Sequence, residues 1–240
     1  MSSRPVSTHG ASVSQDWRRP LDAEKSDAYV CCVRRLETAY SMFSVNLDEA
    51  FGMRRNGRNS KAYQVLSVAP ALCRLLTGPL HALLQVMLNH AKHFGITPNL
   101  APLNSRNFQH PRSQRVALFN DLFSRVLLTR KSQFSYKISA LADLVEDLQS
   151  DFRSAAEDLA CGDSLHPDRD WELLDSVHYD LNTCLREAVV LFKSFLHALP
   201  EGQLQSFQAA LHHLCDTASC ALPSCTPHLA HRRMAFLKGQ

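Results

Sequence analysis

The sequence predicts an all-α protein, an up-and-down bundle of five to seven helices with one very long central helix. Three observations carry this expectation. From Pro111 to Gly162, large apolar residues recur at steps of three and four: Val116, Phe119, Phe123, Val126, Phe134, Ile138, Leu141, Val145, Leu148, Phe152 and Leu159. That spacing marks one face of a helix. No Gly or Pro interrupts the run after Pro111, and the whole chain holds only 8 glycines. No stretch alternates apolar and polar residues between turn signals, so no strand is expected. Roughly fifty helical residues would reach about 75 Å, and a helix of that length needs the rest of the chain to cover its apolar stripe.

Taken in order, residues 1–21 read as a disordered tail rich in Ser, Arg and Pro. A first helix is expected from Asp22 or Ser26 to just before Gly57. Its stripe is Tyr29, Val33, Leu36, Tyr40, Phe43, Leu47 and Phe51, and Gly52 is an earlier candidate stop. Ser60 is placed to cap a short helix through Val68. Pro70 restarts the chain, and Gly78-Pro79 is expected to restart it again, giving two antiparallel neighbours joined by a tight corner. The second carries Leu80, Leu83, Leu84, Met87, Ala91 and Phe94 and stops at Gly95. Residues 96–110, with Pro98, Pro102 and three asparagines, form the one long linker. Because it carries Ile96, Leu100, Leu103 and Phe108, it is expected to be pinned across helices and to border an irregular groove. Beyond the long helix, Pro167 marks a turn. A helix follows from about Asp168 to Leu199, then a shorter one carrying Leu204, Phe207, Leu211 and Leu214. The bundle domain thus spans residues 22–218, and residues 219–240 form a tail containing Cys, His and Pro.

Composition excludes little. Hydrophobic residues make up 45% and charged residues 20%, as in ordinary globular proteins, and the formal charge of +3 gives no reason to expect nucleic acid. The basic, aromatic stretch 130–137 leaves only Tyr136 as a stacking platform, because Phe134 belongs to the buried stripe. No run of eighteen apolar residues occurs, so no membrane span is expected. Met1 to Pro20 lacks the apolar centre of a signal peptide, and Ser2 is not a myristoylation acceptor. With several of the 8 cysteines inside helical stripes, the expected compartment is reducing: cytoplasm, with the nucleus also permitted.

Charge order is the more informative feature. The first half of the long helix carries Arg112, Arg115, Arg125, Arg130, Lys131 and Lys137 against Asp121. The second half carries Asp143, Glu146, Asp147, Asp151, Glu157 and Asp158 against Arg153. A helix dipole favours the opposite order, at up to about 1 kcal/mol for each end. Neighbouring helices or solvent can neutralise the two halves. Alternatively the basic half, with Arg54, Arg55, Arg58 and Lys61 nearby, takes an acidic peptide, an acidic lipid headgroup or a second copy of the chain.

Candidates for chemistry are few. Cys215, Cys220, Cys225, His228 and His231 offer zinc-type ligands, but their C-x4-C-x4-C-x2-H-x2-H spacing matches no finger or ribbon, and a disordered tail is the plainer interpretation. His90 and His93, three apart, lack a carboxylate beside them. Asp175, His178, Tyr179, Asp180 and Asn182 make a dense polar patch, which suits a hydrogen-bonded network fixing helix register better than a ligand site at His178 and Tyr179. No G-x-S-x-G elbow, Walker loop or G-x-G-x-x-G occurs. These observations point to a non-enzymatic interaction module without a cofactor, an adaptor or scaffold binding a partner helix or acidic peptide. The expected contact residues are Leu100, Leu103, Phe108 and the basic half, Arg112 through Lys137. Peripheral binding to acidic headgroups and a zinc-binding module are the alternatives.

Overall fold

A computed structural model describes residues 20–96 and 130–220. These residues form an all-helical bundle with six helices: α1 (Ala23–Arg55), α2 (Asn59–Leu66), α3 (Ala69–Phe94), α4 (Arg130–Cys161), α5 (Pro167–Ala198) and α6 (Leu204–Cys220). Among the described residues there is no strand.

The sequence fixes most of these boundaries through identifiable caps. Asp22 caps α1 by accepting the Lys25 amide at 2.8 Å. Lys25 in turn donates its Nζ to the Leu199 carbonyl at 2.9 Å, which ties the first turn of α1 to the end of α5. Gly52 does not stop α1. The helix runs through to Arg55, and Gly57 then takes the left-handed conformation at φ 72°. Gly162, at φ 76°, closes α4 in the same way, with the Asp163 amide reaching back to the Asp158 carbonyl at 3.0 Å. Pro167 opens α5, where its missing N–H would have lacked a partner in any case.

One expected break is absent. Gly78-Pro79 makes no corner, and α3 is one helix from Ala69 to Phe94 with Pro79 buried inside it. Proline in a helix removes one backbone donor and restricts the residue before it. Here that residue is Gly78, which has no Cβ to clash with the proline ring. Thr77 stabilises the same turn, donating its hydroxyl to the Cys73 carbonyl at 3.0 Å and hydrogen-bonding Gln149 of α4. Only Ala71 and Asn89 are exposed between Ala69 and Ala91, so α3 is the most deeply enclosed rod.

The α2–α3 stretch, Asn59–Phe94, is by length and composition apolar enough to cross a bilayer, against the expectation from apolar runs alone. Most of its apolar window is buried within the bundle, as in the core helix of a globular protein. α3 packs chiefly on α4 and also on α6 and α1, while α5 packs on α4 and α1. The stripe expected on α4 lies inside: Phe134, Ile138, Leu141, Val145, Leu148, Phe152 and Leu159 are all buried. Aromatic contacts knit the helices together, with Phe43 of α1 edge-on to Phe152 of α4 at 4.9 Å and Phe207 of α6 against Phe195 of α5 at 5.0 Å. The expected N-terminal part of the long helix, residues 111–129, lies outside the described residues, as do residues 1–19 and 221–240 of the two expected tails, while α6 runs two residues past the expected domain end at 218.

Candidate functional site

The basic end of α4 and the acidic ridge that follows it make up the candidate site. On the ridge, Asp143, Glu146, Asp147, Glu157 and Asp158 are exposed along the outer face of the helix, and Asp151 is half-buried. This follows from the same periodicity that buries Leu141, Val145, Leu148 and Phe152: the carboxylates occupy the positions between core residues. Among the described residues, no ion pair engages the five exposed acids.

Of the expected contact residues, Arg112, Arg115, Arg125, Leu100, Leu103 and Phe108 lie outside the described residues. Arg130 and Lys131 sit in the first turn of α4. Lys137 is half-buried, and the charge of Glu187 on α5 acts on it. Burial pulls the Lys137 ammonium below its ordinary value, and the Glu187 charge opposes the shift. Burial pushes the Glu187 carboxyl up to about 7, with Lys137 drawing it back down. Sequence reasoning passed over Glu187. The available signal was its step of three from Cys184 and four to Leu191, which places a carboxylate on the buried stripe of α5.

Within the polar patch on α5, His178 joins two helices. His178 Nε2 and the Tyr40 hydroxyl of α1 are 3.1 Å apart, and the two rings stack with centroids 5.6 Å apart. Phe43 meets the imidazole edge-on at 5.7 Å. Burial lowers the His178 pKa from its ordinary value, against the pull of Asp48 and Asp175. The aromatic surroundings thus disfavour the charged imidazole.

Arg54 and Trp171 form a second interhelical contact. The Arg54 guanidinium lies 5.2 Å from the centre of the buried Trp171 ring and pairs with Asp168, while Phe51 and Tyr63 flank the indole at 5.1 and 6.3 Å. This binds the end of α1 and α2 to the start of α5. Arg55, Arg58 and Lys61 are exposed beside it.

Cys73 and Cys184 are fully enclosed, and burial raises both thiols, Cys73 to about 12. A thiol so raised is a small core hydrophobe rather than a nucleophile. Cys215 and Cys220 belong to α6, whereas Cys225, His228 and His231 lie outside the described residues. Among the described residues no group of three or more His, Cys, Asp or Glu side chains is placed to hold a metal. His90 donates its Nδ1–H to the Val86 carbonyl of its own helix at 3.0 Å and packs on Phe207 at 5.4 Å. Comparison of the chain with protein-family models, with curated proteins and with solved structures finds no match.

Proposed function

We propose that the protein is a non-enzymatic interaction module, an adaptor or scaffold that binds a partner helix or acidic peptide through the basic end of α4. The observation that supports this is the segregation of charge along the sequence, continued on α4 from Arg130 onward. The sequence sets Arg112, Arg115, Arg125, Arg130, Lys131 and Lys137 before or at the start of α4, and five carboxylates stand exposed on its second half. Such a distribution runs against the helix dipole and gives the rod no stability of its own. It does provide two surfaces of opposite sign, which steer association and fix its orientation. The polar and nucleophilic groups elsewhere have structural partners: His178 with Tyr40, Arg54 with Trp171, and Cys73 and Cys184 with the core. Residence in the cytoplasm or nucleus belongs to the same proposal.

Reversing three charges together (Arg125→Glu, Arg130→Glu, Lys131→Glu) tests it. With poly-glutamate as the probe, the reversed protein binds more weakly while its helical circular dichroism stays unchanged. Equal binding by both proteins would remove the basic end from the site. Flotation with anionic vesicles separates the lipid alternative, since headgroup binding depends on the anionic fraction and on salt.

A further inference from the structure

The corner between α1 and α2 carries the pair Asn56-Gly57, and both residues are exposed. Gly57 has open space where a side chain would stand, so nothing shields its amide nitrogen from the asparagine side chain before it. The backbone of the corner is held by hydrogen bonds. The Gly57 amide donates to the Arg54 carbonyl at 2.9 Å, and the Arg58 amide donates to the Met53 carbonyl at 2.9 Å. For the Asn56 side chain to close a five-membered ring on the Gly57 nitrogen, that nitrogen must nearly eclipse Cβ about the Cα–C bond. At ψ 11° it stands far from that position. Ring closure therefore requires the end of α1 to open and the bond from Gly57 to Arg54 to break. Arg54 anchors this end, because its guanidinium lies on the Trp171 ring and pairs with Asp168.

We propose that Asn56 is a site of deamidation gated by the fold, through which the α1–α2 corner acquires a carboxylate as the protein ages. When the turn opens, the Gly57 nitrogen gives its proton to solvent base and attacks Cγ of Asn56. A C–N bond forms, and the side-chain nitrogen takes up a proton and leaves as ammonia. Water then adds to either carbonyl of the resulting succinimide and breaks that carbon's bond to the ring nitrogen. The product is isoaspartate or aspartate, and water is the only co-reactant. The new charge enters a setting of one sign. From Ala50 to Asn120 the sequence holds no Asp or Glu, and Arg54, Arg55, Arg58 and Lys61 stand within five residues of Asn56. A carboxylate at the carbonyl end of α1 also opposes the helix dipole. Its consequence for binding rests on the acidic-partner proposal above: a carboxylate among these cations weakens their attraction for an acidic peptide.

The test ages the full chain beside a synthetic peptide of residues 52–63 in mildly alkaline buffer at body temperature. Chymotryptic mapping by mass spectrometry follows the fragment that ends at Tyr63, in which Asn59, followed by Ser60, is the internal control. The folded chain converts Asn56 and spares Asn59, roughly ten- to a hundredfold more slowly than the peptide, as the opening of one exposed turn allows. Asn56→Gln shows no conversion at that position. Arg54→Ala frees the anchored end of α1 and converts several-fold faster than the wild type, each rate being taken relative to its matching peptide. No conversion at Asn56 while the peptide converts overturns the site. Equal rates in folded chain and peptide, or no acceleration in Arg54→Ala, overturn the gate. If Arg54→Ala does not fold, the comparison of wild type with peptide still decides. Poly-glutamate affinity, measured on fresh and aged protein, falls with conversion if this corner belongs to the acidic-partner surface. If Asn56 converts and the affinity holds, the deamidation site stands and the corner is removed from that surface.

Discussion

At the scale of single residues, two buried titratable groups push stability in opposite directions with pH. The pKa of His178 is lower in the folded protein than in the unfolded chain. As pH falls below about 6.5, the unfolded chain takes up a proton that the folded imidazole still refuses, so stability is lost on the acid side. Glu187 titrates higher when folded, at about 7. Between about 4.5 and 7 the folded carboxyl keeps a proton that the unfolded chain has released, so this contribution declines as pH rises. Chemical denaturation across pH should therefore show Glu187→Gln losing the decline toward neutrality and His178→Phe losing the acid-side fall. Unchanged slopes would contradict both assignments. Tyr40→Phe removes the hydroxyl bonded to His178 and should cost about 1 kcal/mol, measured by urea unfolding.

At the scale of elements, the most testable feature is the turn of α3 that carries Pro79. Glycine to alanine in a helix ordinarily gains about 0.5–1 kcal/mol. At Gly78 the new Cβ would meet the ring of Pro79, so Gly78→Ala should gain much less than that or lose stability. A full gain by thermal unfolding would mean that the absent Cβ does not explain the continuous helix. The Arg54 contact offers a second comparison. Asp168 is 93% exposed, so Asp168→Ala should change stability little, whereas Arg54→Ala uncovers the Trp171 ring and should red-shift its fluorescence.

The elements also show what the sequence could and could not disclose. The stripes of α1, α4 and α5 were legible because each repeats at helical spacing over many turns, and cap chemistry marks both ends of α1 (Asp22, Gly57) and the C-terminal ends of α3 (Gly95) and α4 (Gly162). The union of two expected helices into α3 was not legible. A Gly-Pro pair is a local signal for a break, whereas its tolerance depends on the helices that surround it. Glu187 was missed for a related reason: its place on the α5 stripe was legible, but how far a carboxylate there is covered depends on the helices packed against α5.

At the scale of the whole molecule, charge order on α4 bears on assembly. If two copies pair with basic ends against acidic ridges, light scattering after size exclusion should show a dimer that dissociates in high salt. A monomer at both ionic strengths would leave the ridge and the basic end to other partners. The core itself should resist such changes of solvent. Phe43→Ala removes a fully buried ring that touches both Phe152 and His178, and a loss of about 3–5 kcal/mol is expected on denaturation.

The bond from Lys25 to the Leu199 carbonyl joins residues 174 positions apart. Closing so long a loop carries a larger entropic penalty than forming the contacts between neighbouring helices. The opening turn of α1, although made early in synthesis, should therefore find its place only after α5 has been completed. In pulsed hydrogen exchange its amides would be among the last to gain protection. A nascent chain that stops short of Leu199 would have α1 waiting without its clasp.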